Sequence, residues 1–195
     1  MDDAFTLLRQ AVDLLPEDAV AENGQTVGDV RDDVRRQEWE MVLGVLEEIG
    51  DVHPVSVDFW ALLAEAARQM MLDRSRRWCE WRGWEVQHGT VRATLSLTDT
   101  EEGGRQTAFS GDGQLRPMWD IGNRTADGER ELSIARLWVE FEPELGPGAE
   151  TAYVRLAPLQ PGQWQHLKPR DVIFMHETQP VAGIAEIIEV LPPRV

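Results

Sequence analysis

One discontinuity constrains this chain more than any other feature: near residue 88 the spacing of its apolar side chains changes from a period close to 3.6 to a period close to 2. Before that point Phe5, Leu8, Val12 and Leu15 recur at helical spacing until Pro16, and a polar loop containing Asn23-Gly24 follows. Thr26 can cap a second helix, with Asp29 three residues on as a short form of the capping box. Its apolar stripe is expected to run from Val27, Val30 and Val34 through Trp39, Val42, Leu43, Leu46 and Ile49 to a stop at Gly50. A third helix is predicted from Ser56, with Phe59, Trp60, Leu63, Ala67, Met70 and Met71 facing inward. Asp73 either ends it, or the helix runs on through Trp78, Trp81 and Trp84. After residue 88 the apolar residues alternate in short blocks: 91–97, 131–139, 151–156, 171–175 and 183–190. About six strands without helical patterns between them make a small closed barrel or sandwich rather than a parallel sheet. The expected fold is therefore α+β, a helical unit over residues 1–88 and an antiparallel six-stranded β-barrel over 89–195.

Charge narrows the functional classes. Asp and Glu number 35 against 19 Lys and Arg, a net charge of -16, and the field of such a protein repels phosphate backbones and anionic lipid head groups. The excess is shared, with 9 basic against 18 acidic residues up to residue 84 and 10 against 17 beyond it. Cys79 is the only cysteine, so the chain forms no internal disulfide, and no Cys/His cluster has the spacing of a zinc site. The N-terminal residues lack the pattern of a signal peptide, and no window approaches 18 consecutive apolar residues. A cytoplasmic location with no membrane association is expected.

The segment Glu101-Glu102-Gly103-Gly104-Arg105-Gln106-Thr107-Ala108-Phe109, followed by Gly113-Gln114-Leu115-Arg116-Pro117, resembles the C-terminal β-barrel, the third domain, of elongation factor Tu. In that family a strand leads into a Glu-Gly-Gly-Arg-His-Thr-Pro-Phe loop, and Gly-Tyr-Arg-Pro opens the next strand. Downstream, Pro147-Gly148, Leu156-Ala157-Pro158-Leu159 and Val181-Ala182-Gly183-Ile184-Ala185 are similar, in the same order, to later turns and strands of the family. The resemblance covers about residues 90–191. The chain departs from the pattern at Gln106, at Ala108 and in a longer Ser110–Gly113 loop. It contains no Gly-x-x-x-x-Gly-Lys-[ST] phosphate loop, so no GTP binding and no GTPase activity is expected. The resemblance implies a tRNA-facing role for Arg105, with Gln106 and Thr107 beside it and Arg116 further along. The acidity of both halves argues against that role. The competing reading of Arg105 is an ion pair with Glu101, Glu102 or Asp112.

No residue pattern points to catalysis. His176-Glu177 lacks a second His four residues on and reads as a solvated strand end, while Cys79 reads as a buried thiol rather than a nucleophile. No catalytic residue, metal ligand or cofactor is expected. The run Trp78-Cys79-Glu80-Trp81-Arg82-Gly83-Trp84 has two readings, a seam where the helices meet the barrel and an exposed partner-binding surface, and the seam is preferred. The segments Glu38–Glu48 and Phe59–Ala64 resemble the helical hairpins of bacterial immunity proteins that neutralise nuclease toxins. The expected function is a non-catalytic acidic binding protein, of immunity or inhibitor type, whose partner is a basic protein. The alternative is a translation-associated factor that touches tRNA or the ribosome through the Arg105 loop.

Overall fold

The architecture is α+β, five α-helices followed by a closed six-stranded antiparallel β-barrel, in a computed structural model that describes residues 3–177 and 180–194. The chain divides into two compact units, Met1–Gln87 and His88–Val195.

In the first unit the helices start where the sequence supplies a cap. The Asp3 carboxylate accepts from the Thr6 N–H at 2.8 Å and opens α1 (Ala4–Asp13). Thr26 and Asp29 cap one another's backbones as a complete capping box and open α2 (Val27–Arg36). Ser56 opens α4 (Val57–Gln69) by accepting from the Phe59 N–H. The apolar stripe expected to be continuous from Val27 to Ile49 is in fact broken. Gln37 adopts a left-handed conformation with φ of 67°, closes α2, and lets a separate α3 (Trp39–Val52) begin.

Gly50 does not stop α3 but lies inside it. A Cβ there would meet the Trp60 ring at 2.6 Å and the Phe59 ring at 2.9 Å, so the glycine is required by close helix packing rather than by termination. Met71 departs from expectation as well. It takes a φ of 59° at the end of α4 and is 87 % exposed, so it turns the chain instead of entering the core. The chain then restarts as α5 (Asp73–His88), which carries Trp78, Trp81 and Trp84. Leu8, Leu43, Leu46, Ile49, Phe59 and Leu63 are fully buried in one cluster, each contributing roughly 1.5–3 kcal/mol of transfer free energy.

Among its described residues the second unit has eight strands: β1 (Thr90–Leu97), β2 (Phe109–Ser110), β3 (Met118–Arg124), β4 (Arg130–Val139), β5 (Glu144–Leu145), β6 (Ala152–Pro158), β7 (Val172–His176) and β8 (Val181–Leu191). The barrel closes in the order β1-β6-β4-β3-β7-β8, and β2 pairs separately with β5. Alternation determines which side chains fill it. Ala93, Leu95, Val154, Leu156, Ala135, Leu137, Ile173 and Ala185 point inward and are fully buried. Trp119 of β3 and Trp164, on a 3₁₀ turn at Pro161–Trp164, meet edge to face with centroids 6.5 Å apart. Strand β3 lacks the alternation that marks the others, since Asp120, Gly122 and Asn123 interrupt its apolar residues. Only the resemblance anticipated a strand after Pro117.

Candidate functional site

The loop between β1 and β2 carries the residues singled out by the resemblance. A 3₁₀ turn at Thr100–Glu102 ends at Gly103, whose φ of 93° is the left-handed conformation a side chain would resist. Gly104 serves a different purpose. Its φ is not positive, but a Cβ on it would lie 1.9 Å from the Thr98 carbonyl oxygen, so only glycine lets the two backbone segments pass.

Arg105 then projects across the loop, but its partner is none of the carboxylates expected from nearby sequence. Its guanidinium is paired with Glu177, just beyond the end of β7, and its Nε donates to the Thr107 carbonyl at 3.2 Å. The same guanidinium lies 4.9 Å from the centroid of Phe109. Gln106 turns back, donating to the carbonyls of Thr100 and Gly104 at 3.3 Å. Thr107 and Arg116 are exposed. Arg116 raises the local positive potential, and together with burial, the larger cause, it lowers the Arg136 pKa. Thus Arg105, Gln106 and Thr107 share one loop, with the guanidinium of Arg105 already neutralised.

The tryptophan run lies on α5 and is built around a buried cation. Arg82, 5 % exposed, is paired with Glu85 and with Asp51 of α3 at 2.9 Å, and lies 5.3 Å and 5.4 Å from the ring centroids of Trp60 and Trp78. Trp81 is buried and its indole N–H donates to Glu85 at 2.6 Å. Trp78 and Trp84 are half-buried, and Trp84 lines a cleft of about 460 Å³ beside Trp60, Ala61 and Ala64.

Next to this cluster the Cys79 thiol is fully buried and donates to the Glu47 carboxylate at 3.5 Å. Burial, then the nearby Glu47 charge, pushes the thiol pKa upward, the opposite of what an activated nucleophile needs. Burial also raises Glu47, to about 7. No motif marked Glu47, because its displacement depends on α5 packing over α3.

His176 differs from the solvated strand end expected of it. A register shift between Met175 and His176 lets two consecutive residues of β7 be buried, and His176 is only 3 % exposed. Among the described residues no group of three His, Cys, Asp or Glu side chains is arranged to hold a metal ion. Among them, too, no helix is long and apolar enough to cross a membrane. Neither a protein-family model nor a curated protein matches the chain.

Proposed function

We propose that this protein is a non-catalytic acidic binding protein whose partner is a basic protein. The observation that carries the reading is how its charges are distributed. Arg31, Arg68, Arg82, Arg92, Arg105 and Arg155 are each held by a carboxylate of their own unit. Meanwhile Glu101, Glu102, Glu142, Glu144 and Glu150 stand exposed with no cation paired to them among the described residues. With these six cations internally consumed and a net charge of -16, the surface presents mainly negative potential outward. Such a surface accelerates encounter with basic partners and repels polyphosphates.

The barrel, read as similar to the third domain of elongation factor Tu, supplies a rigid platform for that surface. The acidic helical unit, with its likeness to immunity-protein hairpins, favours an inhibitor-type role in which the bound partner's basic site is covered. The translation-factor alternative needs Arg105 to reach a phosphate, and its pairing with Glu177 would first have to open.

Affinity capture from the native host, followed by mass spectrometry and reconstitution from purified components, tests the proposal. A basic protein that re-forms a stoichiometric complex and is released by added salt is the expected result. A reconstituted complex with tRNA, or with an acidic protein indifferent to salt, would reject it.

A further inference from the structure

The strand registers place an unusual set of side chains on the outside of the barrel. Tyr153 of β6 lies opposite Thr94 of β1, Thr94 opposite Glu186 of β8, and Glu186 opposite Val172 of β7, which makes one continuous cross-strand row. The neighbouring row runs Ser96, Ile184, Phe174 across the last three of these strands. Because Ala93 and Leu95 fill the interior, Thr94 and Ser96 and their cross-strand partners face outward. Tyr153, Val172, Ile184 and Phe174 are each more than a third exposed. At the β6 end the row is extended by Phe141, 75 % exposed, edge to face with Tyr153 at 5.7 Å between centroids. Large apolar side chains scattered singly over a surface need no explanation, whereas four brought together by register, with a fifth packed against one of them, do.

Charge on and around these rows has one sign over most of its extent. Glu186 sits in the middle of the first row, the exposed Glu142 follows Phe141 in the chain, and the exposed Glu150 accepts at its backbone carbonyl from the Ser96 hydroxyl of the second row. The nearest arginines on β1 and β6, Arg92 and Arg155, are already bound to Glu140, and Arg92 also to Glu189. Two exposed cations, Lys168 and Arg170, lie four and two residues before Val172 at the far end of this face. The two rows are about 7 Å apart, a width that one α-helix, about 10 Å across, covers.

We infer that the outer face of β6, β1, β8 and β7 is the docking surface for a basic amphipathic helix of the partner protein. The helix's apolar stripe lies on Tyr153, Ile184, Phe174 and Val172, and its flanking Lys and Arg side chains meet Glu186, Glu142 and Glu150. An aromatic pair beside carboxylates suits such cations twice, through the ring faces and through charge. The inference rests on the basic-partner reading above and gives it a location and a ligand chemistry.

The test uses the full chain, isotopically labelled, and a synthetic helical peptide with a leucine stripe flanked by lysines, followed by NMR at about 0.15 M salt. A matched peptide with glutamates in place of lysines is the control. Binding of the lysine peptide should shift the amides of Thr94, Tyr153, Phe174, Ile184 and Glu186. The double variant Phe174→Ser/Ile184→Ser, and independently Phe141→Ser/Tyr153→Ser, should weaken it about tenfold or more. All four positions are exposed, and a thermal melt of each variant verifies the fold.

Shifts confined to α1–α5, with affinity unchanged in both variants, would overturn the docking face while leaving the basic-partner reading standing. No shift from the lysine peptide anywhere would count against both. Equal binding of the glutamate peptide would overturn the choice of a basic occupant. A concentration-dependent dimer abolished by Phe174→Ser/Ile184→Ser would also overturn it, since the occupant would then be a second copy.

Discussion

The Trp81 indole N–H and the Glu85 carboxylate, one helical turn apart on α5, are joined by a buried 2.6 Å hydrogen bond. The other carboxylate oxygen receives Arg82, so one buried anion satisfies an indole and a guanidinium together. Buried charges persist only when they are paired in this way. Trp81→Ala removes a nearly fully buried ring and is expected to destabilise the protein by about 3–5 kcal/mol in urea unfolding. Trp81→Phe keeps most of the volume but deprives Glu85 of a donor, and is expected to cost about 1–3 kcal/mol. Wild-type stability in the alanine variant would contradict this account of the ring.

Glu47 makes stability depend on pH in an unusual direction. Its carboxyl titrates near 4.5 when unfolded and at about 7 when folded, because burial desolvates it and the opposing hydrogen bonds from Ser75 and Cys79 offset that only in part. Between those values the folded chain holds a proton that the unfolded chain has released. Stability from this group is therefore full below about 4.5 and is lost as the pH rises through 7. The amplitude is on the order of 3 kcal/mol, since the displacement from 4.5 to about 7 is worth about 1.4 kcal/mol per pH unit. Glu47→Gln should flatten the profile across this window and be the more stable protein at pH 8. An unchanged slope in that variant, measured by urea midpoints at several pH values, would show that another group is responsible.

Much of this architecture was legible in the sequence because period alone distinguishes a helix from a strand. The caps at Thr26 and Ser56 were readable for the same local reason: the hydrogen bonds they make span three residues. What escaped local reading was set by distant contacts. Gly50 looked like a helix stop, and its true constraint is the ring of Trp60, ten residues later. Arg105 had nearby carboxylates in sequence, yet closure of the barrel delivers Glu177 from 72 residues away. The apolar outer face is likewise invisible to a linear reading, because Tyr153, Ile184 and Phe174 come from three strands and become neighbours only through register. The break at Gln37 leaves no mark on the apolar period, because amphipathic helices on either side continue the same stripe.

Gly104→Ala separates two uses of glycine in one motif. Its added Cβ would collide with backbone at Thr98 and Asp99, neither of which can rotate away, so the loop must rearrange. Loss of the Arg105–Glu177 pairing, visible as altered NMR shifts at both residues, and a destabilisation of roughly 1–3 kcal/mol are expected. Gly103→Ala meets open space and suffers only the positive-φ penalty, roughly 1 kcal/mol. Equal effects of the two substitutions would refute the distinction.

The central claim is that the surface selects basic protein over nucleic acid. Fluorescence anisotropy tests it directly when labelled bulk tRNA and the labelled leucine–lysine peptide are each titrated with the full chain at about 0.15 M salt. The account predicts saturable binding of the peptide that weakens as salt is added, and no saturable binding of tRNA. Micromolar binding of tRNA that Arg105→Ala abolishes, with the peptide left unbound, would contradict it.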